Sequence, residues 1–158
     1  MIKIICDNIL NAKNNVIIAH QVNCKNKMNS GVAKTLRNEY PIIFNSYTKY
    51  CSKFGSNLLG KIQIVKISQE AEICNMFSQD NYGWDKKYTD SNHFKTCLIK
   101  LHDYALQTNK SIAMPYKIGC GRGGGDWNEI YMIIQEIFTE STVTLILYKF
   151  NESKQFNN

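Results

Sequence analysis

Residues 114–127 read Met-Pro-Tyr-Lys-Ile-Gly-Cys-Gly-Arg-Gly-Gly-Gly-Asp-Trp, and five of the nine glycines of the chain fall between Gly119 and Gly125. An apolar run precedes this stretch and a helical pattern follows it. Glycine permits positive φ and a close approach of main chain to ligand, and a following helix start adds unpaired N–H groups. Residues 115–126, called the glycine loop below, therefore predict an anion cradle between a strand and a helix. The loop lacks the Gly-Lys-Ser/Thr ending of a P-loop, and its spacing fails the dinucleotide fingerprint.

Short apolar runs alternate with helical periods on both sides of the glycine loop. The runs, several of them rich in β-branched residues, occupy residues 2–6, 16–19, 62–67, 73–77, 112–114 and 143–147. Such runs are typical of strands that are buried on both faces. Strands that alternate with helices predict an α/β fold, here a three-layer α/β/α sandwich with a mixed, largely parallel central sheet.

Three apolar stripes at helical spacing predict long helices, and a shorter helix is expected over residues 32–39. The stripes consist of Ile43, Tyr47, Tyr50, Cys51 and Phe54; of Phe94, Cys97, Leu98, Leu101 and Ala105; and of Ile130, Ile133, Ile134, Ile137 and Phe138. Pro41 suits the first turn of the first stripe, and Ser91 is the expected N-cap of the second. Asp126 and Glu129 form a capping box before the third, a role compatible with a place in a site.

Length and composition predict one domain over residues 1–150 and a polar tail over residues 151–158. A chain of 158 residues can bury one sizeable core. No apolar stretch approaches the roughly 20 residues that cross a bilayer, and Asp7 interrupts the N-terminal apolar run too early for a signal peptide. We therefore expect a cytoplasmic protein that does not contact a membrane.

Cysteine spacing and charge argue against several kinds of site. The six cysteines lie far apart, with no CxxC pair or adjacent histidine, so we expect core packing and neither disulfide nor metal. Cys24 and Cys120, which fall in predicted loops, are the expected exceptions. The net charge of +6 comes from scattered lysines. It favours solubility and anionic ligands over direct binding of nucleic acid. No cofactor is predicted.

Two further polar segments follow predicted strands. Ligands of open α/β sheets bind outside the carboxyl ends of the strands, so both segments are expected beside the glycine loop. The first runs over residues 20–33, begins with His20 and opens the short helix with Ser30 and Gly31. The second runs over residues 78–90 and reads as a long functional loop. Its Tyr82, Trp84 and Tyr88 could wall a ribose or a base, or could pack the loop down.

Three motifs resemble the macrodomain family, the ADP-ribose-binding fold. They are residues 7–10 (Asp-Asn-Ile-Leu), residues 18–24 (Ile-Ala-His-Gln-Val-Asn-Cys) continued by residues 28–33, and residues 114–127. The likeness spans nearly the whole chain in the expected order. It is closest to the branch of ADP-ribose 1''-phosphate phosphatases, their phage-encoded relatives and the terminal ADP-ribose protein glycohydrolases. The resemblance implies an α/β/α sandwich and a ligand that is ADP-ribose, a derivative of it or an ADP-ribosylated macromolecule.

The resemblance also implies a set of ligand contacts. Asn8 stands where the family has an aspartate that recognises the adenine amino group, and its carbonyl can still accept that hydrogen bond. Asn29 replaces a glycine of the ribose loop, and Phe150 is an alternative to Tyr148 for stacking on adenine. The expected binding residues are Asn8, Ile9, Gln21, Asn23, Ser30, Gly31, Val32, Gln79, Pro115, Ile118, Gly119, Cys120, Gly121, Arg122, Gly123, Gly124 and Tyr148.

Three functions remain open for such a protein. The first is hydrolysis at the distal ribose, as in the phosphatases, with His20 positioning or protonating the 1''-phosphate and Asp126 or Asp90 orienting water. The second is binding of ADP-ribose without turnover, because an anion cradle needs no catalytic group. The third is ADP-ribosyl glycohydrolysis, in which Lys87 matches the attacking lysine of those relatives. Their loop aspartate, however, is replaced by Gly123.

Overall fold

The computed structural model describes residues 1–83, 85–121 and 123–150. Six strands and four α-helices follow one another along the described chain. They are β1 (Ile2–Cys6), β2 (Val16–Asn23), α1 (Gly31–Glu39), α2 (Ile42–Phe54), β3 (Ile62–Lys66), β4 (Ala71–Gln79), α3 (Ser91–Thr108), β5 (Ser111–Pro115), α4 (Trp127–Phe138) and β6 (Leu145–Lys149). Short 3₁₀ turns occupy Ile9–Asn11 and Gly55–Asn57.

The strands form a single sheet in the order β1-β6-β5-β2-β4-β3. Four neighbouring pairs are parallel, and β3 pairs with β4 in the antiparallel sense. Side chains of β2 alternate between two cores: Ile17 packs in the core formed with α3 and α4, whereas Ile18 packs in the core formed with α1 and α2. The prediction of a three-layer sandwich with a mixed, largely parallel sheet is confirmed.

All three long predicted stripes lie on helices, and each contributes buried residues to one of the two cores. Phe94, Leu98 and Leu101 of α3 have no exposed surface, and neither do Ile134 and Phe138 of α4. Burial of a large apolar side chain contributes roughly 1.5–3 kcal/mol. These faces therefore supply much of the free energy that holds α3 and α4 to the sheet.

Several predicted boundaries are wrong, because polar residues continue the strands. β2 runs on to Asn23 and β4 to Gln79, so residues 20–23 and 78–79 are strand and not loop. The N-cap of α3 is Asp90, whose carboxylate accepts from the His93 backbone N–H; Ser91 is the first helical residue. A neighbouring strand satisfies the backbone of polar residues as well as that of apolar ones.

Burial also differs from expectation at the edge of the sheet. Among the strands that the structure describes, β1 pairs with β6 alone, and Ile4 is 50% exposed, so this strand is not buried on both faces. All six cysteines are free thiols: Cys74 and Cys97 lie in the core, whereas Cys6 is exposed.

No helix in the described part of the chain has the length and apolar character of a membrane span. The predicted tail, residues 151–158, falls outside the described residues.

Candidate functional site

A cleft of about 300 Å³ opens at the carboxyl ends of β2, β4 and β5. Polar residues follow all three strands, and parallel strands bring their carboxyl ends to one edge of the sheet. Most of the predicted binding residues line it: Gln21, Asn23, Ser30, Gly31, Val32, Gln79, Pro115, Ile118, Gly119, Gly121 and Gly123, together with His20. Lining residues outside that predicted set are Val22, Lys27, Asn29, Ala33, Tyr82, Tyr116 and Lys117.

The glycine loop forms one wall of the cleft. Gly119 has a φ of +74°, a conformation that glycine adopts without strain. The loop is closed by its own hydrogen bonds, among them Gly125 N–H to the Gly119 carbonyl at 2.8 Å. Within the described residues, the N–H groups of Gly119, Gly121 and Gly123 have no hydrogen-bond partner. Main-chain donors of this kind, gathered in a loop before a helix, bind anionic oxygen atoms.

The first turn of α1 forms the opposite wall. Ser30 is the N-cap of α1, and its side chain makes no capping hydrogen bond. The N–H groups of the first turn of a helix lack partners within the helix, and the helix dipole adds a partial positive charge there. Gly31 and Val32 line the cleft at this point. Two sets of backbone donors therefore flank the same space.

Charge in the cleft has one sign. Lys27 and Lys117 line it, and no aspartate or glutamate is found among the described lining residues. Carboxylates beside a phosphate would repel it, whereas lysines raise the local concentration of anions. The cleft is therefore suited to a ligand that carries several negative charges.

Asn23 braces the wall on the α1 side. Its side-chain oxygen accepts from the Lys25 N–H at 2.9 Å, and its nitrogen donates to the Lys27 carbonyl at 2.8 Å. The buried hydroxyl of Tyr47 donates to the Asn23 backbone carbonyl at 2.6 Å. Burial raises the pKa of Tyr47, so this hydroxyl stays protonated. Asn23 thus shapes the turn that carries Lys27, in addition to facing the cleft.

The Gln21 side chain lies next to the glycine loop and forms three hydrogen bonds with neighbouring side chains. Its nitrogen donates to Gln79 Oε1 at 2.7 Å and to Thr89 Oγ1 at 2.9 Å, and its oxygen accepts from the Ser78 hydroxyl at 2.7 Å. Both of its N–H donors are consequently used inside the protein. Gln21 was predicted to bind ligand; its hydrogen bonds are those of a support for the residues that line the cleft.

His20 begins a row of polar side chains that crosses three strands. His20 Nε2 lies 2.6 Å from Asn75 Oδ1, the Asn75 nitrogen donates to Gln63 Oε1 at 3.0 Å, and the Gln63 nitrogen donates to the Ser46 carbonyl at 2.9 Å. Because the Asn75 nitrogen is a donor toward Gln63, its oxygen accepts the proton of His20 Nε2. This row is called the polar ladder below.

The protonation state of His20 follows from this arrangement. Burial lowers the pKa of His20 to about 4, against the opposing effect of its hydrogen bond to Asn75. Nδ1 is buried and makes no hydrogen bond within the described residues. At neutral pH the ring is therefore uncharged, and its one proton is donated into the sheet. The role predicted for His20, positioning or protonating the 1''-phosphate, stays a prediction.

The other predicted catalytic groups do not line the cleft. Lys87 Nζ forms an ion pair with Glu129 at 3.2 Å. Asp90 caps α3. Asp126 caps α4 by accepting from the Asn128 N–H at 2.9 Å, and the Glu129 carboxylate bonds Lys87 instead of completing a capping box. These three side chains stabilise helix starts and the surface of the 80–90 loop.

The expected adenine contacts also lie beyond the cleft. The Asn8 oxygen accepts from the Leu10 N–H at 3.0 Å, which occupies one lone pair of the carbonyl predicted to read the adenine amino group. Ile9 follows in a 3₁₀ turn that contacts β5, and Tyr148 lies on β6 beside β5. Cys120 and Gly124 do not line the cleft. Arg122 and Trp84 lie outside the described residues, so their predicted roles stay predictions.

Sequence reasoning missed Thr89, Lys27 and Lys117. Thr89 is buried and contacts the glycine loop from 30 residues away in the chain. No local pattern reveals such a partner. The two lysines belong to segments that the sequence had singled out, but a lysine in a polar loop has no signature that places it in a cleft.

Comparison with known proteins gives consistent matches. A sequence model of the Macro domain matches residues 19–134. The ADP-ribose 1''-phosphate phosphatase of Saccharomyces cerevisiae is 31% identical over 117 residues, which are 71% of this chain and 66% of that enzyme. Thus the chain spans slightly less than two thirds of the length of this relative.

Two solved structures share the fold. The macrodomain of Mycobacterium tuberculosis DarG has a TM-score of 0.80 and 26% identity, over 94% of this chain and 97% of that one. Thermosipho africanus DarTG, solved in complex with ADP-ribose, has a TM-score of 0.72 and 16% identity, over 84% of this chain and 37% of that one.

Proposed function

The chain belongs to the macrodomain family, and from that premise we propose that it binds ADP-ribose or an ADP-ribose derivative in the cleft between the glycine loop and α1. The observation that carries the proposal is the set of unpartnered N–H groups at Gly119, Gly121 and Gly123, beside a cleft without described acidic side chains. Thermosipho africanus DarTG, which has this fold, forms a complex with ADP-ribose.

In the proposed complex the diphosphate lies on the glycine loop. The distal ribose then faces the start of α1 at Ser30 and Gly31, and the adenosine extends toward Asn8 and Tyr148. A cleft of about 300 Å³ is at the lower limit for small-molecule sites. It suits the diphosphate and one ribose, with the adenine resting on the surface beyond.

The substrate that we propose is ADP-ribose 1''-phosphate, hydrolysed by water to ADP-ribose and inorganic phosphate. Two observations favour it. The chain is 31% identical to a yeast enzyme of that name. Lys27 and Lys117 also supply positive charge beyond what the backbone donors offer a diphosphate. With His20 neutral, these lysines and the amides of α1 are the groups suited to stabilise the phosphate during hydrolysis.

Glycohydrolysis through Lys87 has less support from the geometry. The Lys87 ammonium is paired with Glu129, and neither residue lines the cleft. A Cβ at Gly123 would lie 2.3 Å from Thr89 Oγ1, so the loop has no room for the aspartate of the glycohydrolases. Binding without turnover, including capture of ADP-ribosylated macromolecules, remains the main rival.

Three incubations separate these functions. Calorimetry with ADP-ribose should show saturable binding, and ADP-ribose 1''-phosphate should release inorganic phosphate. An ADP-ribosylated protein should remain intact. Release of ADP-ribose from that protein would instead support glycohydrolysis, and binding without release of phosphate would support the rival. Absence of ADP-ribose binding would refute the proposed function.

Charge variants test the lysines. Lys117→Ala and Lys27→Ala should weaken binding of ADP-ribose 1''-phosphate more than binding of ADP-ribose, because the added phosphate carries the extra charge. Lys3→Ala, on the exposed strand β1 away from the cleft, is the control. Equal losses with both ligands would contradict this placement of the phosphate.

A further inference from the structure

Thr89 forms hydrogen bonds with two glycines of the glycine loop. Its hydroxyl donates to the Gly119 carbonyl at 2.6 Å, and its backbone N–H donates to the Gly123 carbonyl at 2.8 Å. The Tyr88 N–H also donates to the Gly123 carbonyl, at 2.7 Å. Both carbonyls are therefore engaged in hydrogen bonds from Tyr88 or Thr89, whereas the N–H groups of Gly119 and Gly123 have no partner within the described residues.

The direction of the Thr89 hydroxyl is fixed by its neighbours. The Asn81 backbone carbonyl can only accept, so the Gln79 nitrogen donates to it, at 2.6 Å, and Gln79 Oε1 is left as an acceptor. Gln21 must then present its nitrogen both to Gln79 and to Thr89. Because the Thr89 oxygen accepts from Gln21, its proton is directed to the Gly119 carbonyl.

The glycines of the loop match the shape of Thr89. A Cβ built on Gly123 would lie 2.3 Å from Thr89 Oγ1, and one on Gly119 or Gly125 would lie 3.2 Å from the Thr89 side chain. Thr89 is itself only 4% exposed. The loop backbone thus rests on this side chain with no space between them.

We propose that Thr89 is the positioning residue of the anion cradle: its hydroxyl, oriented by Gln21, sets the loop conformation in which the amides of Gly119 and Gly123 face the ligand. Thr89 does not line the cleft and acts through the loop. The inference rests on the proposed binding of ADP-ribose, and it deepens that function by naming the group that prepares the cradle before the ligand arrives.

Calorimetry with ADP-ribose tests the proposal. Thr89→Val keeps the shape and the backbone N–H but removes the hydroxyl, and it should weaken binding about tenfold, the upper range for one hydrogen bond. Thr89→Ser should restore affinity to within about twofold of wild type, since the donor returns. Thr89→Ala provides a second variant without hydroxyl if the valine does not fold.

A matched control separates positioning from general stability. Thr108 donates to the Tyr104 carbonyl at 2.7 Å in the last turn of α3, outside the cleft. Thr108→Val should lower the melting temperature without changing affinity for ADP-ribose. An equal loss of affinity in both valine variants would overturn the proposal.

A second readout needs no ligand. In ¹H–¹⁵N spectra the amide signals of Gly119 and Gly123 should shift in Thr89→Val and return in Thr89→Ser. Unchanged signals, or unchanged affinity of Thr89→Val in a preparation whose wild type binds, would overturn the role of Thr89 alone. Wild-type protein that fails to bind ADP-ribose refutes the proposed function instead, so the two failures are distinguishable.

Discussion

Gly123→Ala is the substitution whose effect the structure determines most directly. An added Cβ would meet Thr89 Oγ1 at 2.3 Å, the Gly119 carbonyl at 2.7 Å and Gln21 Nε2 at 2.8 Å, all shorter than real Cβ contacts. Either the loop moves away, an overpacking cost of about 1–3 kcal/mol, or Thr89 rotates and gives up two hydrogen bonds worth about 1 kcal/mol each. Both routes lead to a loss of roughly 1–3 kcal/mol in the free energy of unfolding.

Thermal melting measures this loss, and Gly121→Ala is the matched control. A chain of this size loses about 2–4 °C of melting temperature per kcal/mol, so Gly123→Ala should melt roughly 2–12 °C below wild type. A Cβ on Gly121 meets nothing within 4 Å, so its variant should melt as wild type does. Affinity for ADP-ribose should fall in Gly123→Ala as the cradle is displaced. Equal melting temperatures of the two variants would refute the close packing described for this loop.

Three further changes have expected outcomes. Lys87→Ala removes an exposed ion pair and should leave the melting temperature nearly unchanged while release of phosphate continues unchanged; a large loss of turnover, measured by phosphate assay, would return Lys87 to the mechanism. The pKa of His20 is about 4 in the folded protein and 6.5 in its ordinary state, so the unfolded chain binds a proton first as pH falls. Stability should therefore drop by roughly 3 kcal/mol from pH 7 to pH 4; urea denaturation should show that His20→Gln lacks this component, and equal slopes would contradict the burial of a neutral ring. Tyr47→Phe leaves the Asn23 carbonyl without its donor and should cost about 1–3 kcal/mol in urea and weaken binding of ADP-ribose, whereas Tyr50→Phe, whose hydroxyl bonds Ile62 away from the cleft, should leave affinity intact.

Most of the fold was predictable because helices and buried strands repeat their apolar residues at fixed periods. The stripe of α3 identified its buried face residue by residue, since all five of its members are buried: Phe94, Cys97, Leu98, Leu101 and Ala105. Strand ends were not predictable in the same way. His20 and Gln79 are polar residues whose partners lie on other strands, and no local period reports such pairing.

In the candidate site, too, features with a local sequence pattern were predictable and long-range partners were not. The glycine loop and the start of α1 were found because each combines glycine, a helix start and a preceding strand within one segment. The supporting side chains were not found, since Thr89 contacts Gly119 and Gln21 at long range. The catalytic roles expected for His20 and Lys87 came from the resemblance, although the position of His20 at a strand end had already placed it near the site. Solvation and ion pairing decide whether such groups can act, and both depend on the folded surroundings.

The polar ladder has a consequence for how the sheet assembles. His20 and Gln63 lie directly across from Asn75 on the two strands that flank β4. Moving β3 along β4 by one residue would turn Gln63 to the opposite face of the sheet. The Asn75 side-chain nitrogen would then lose its acceptor and lie among apolar neighbours. A shifted register of the antiparallel edge is therefore disfavoured by unsatisfied hydrogen bonds. Apolar side chains would discriminate less between registers, because one apolar contact can replace another. The polar ladder thus favours a single register of the three strands β2, β4 and β3.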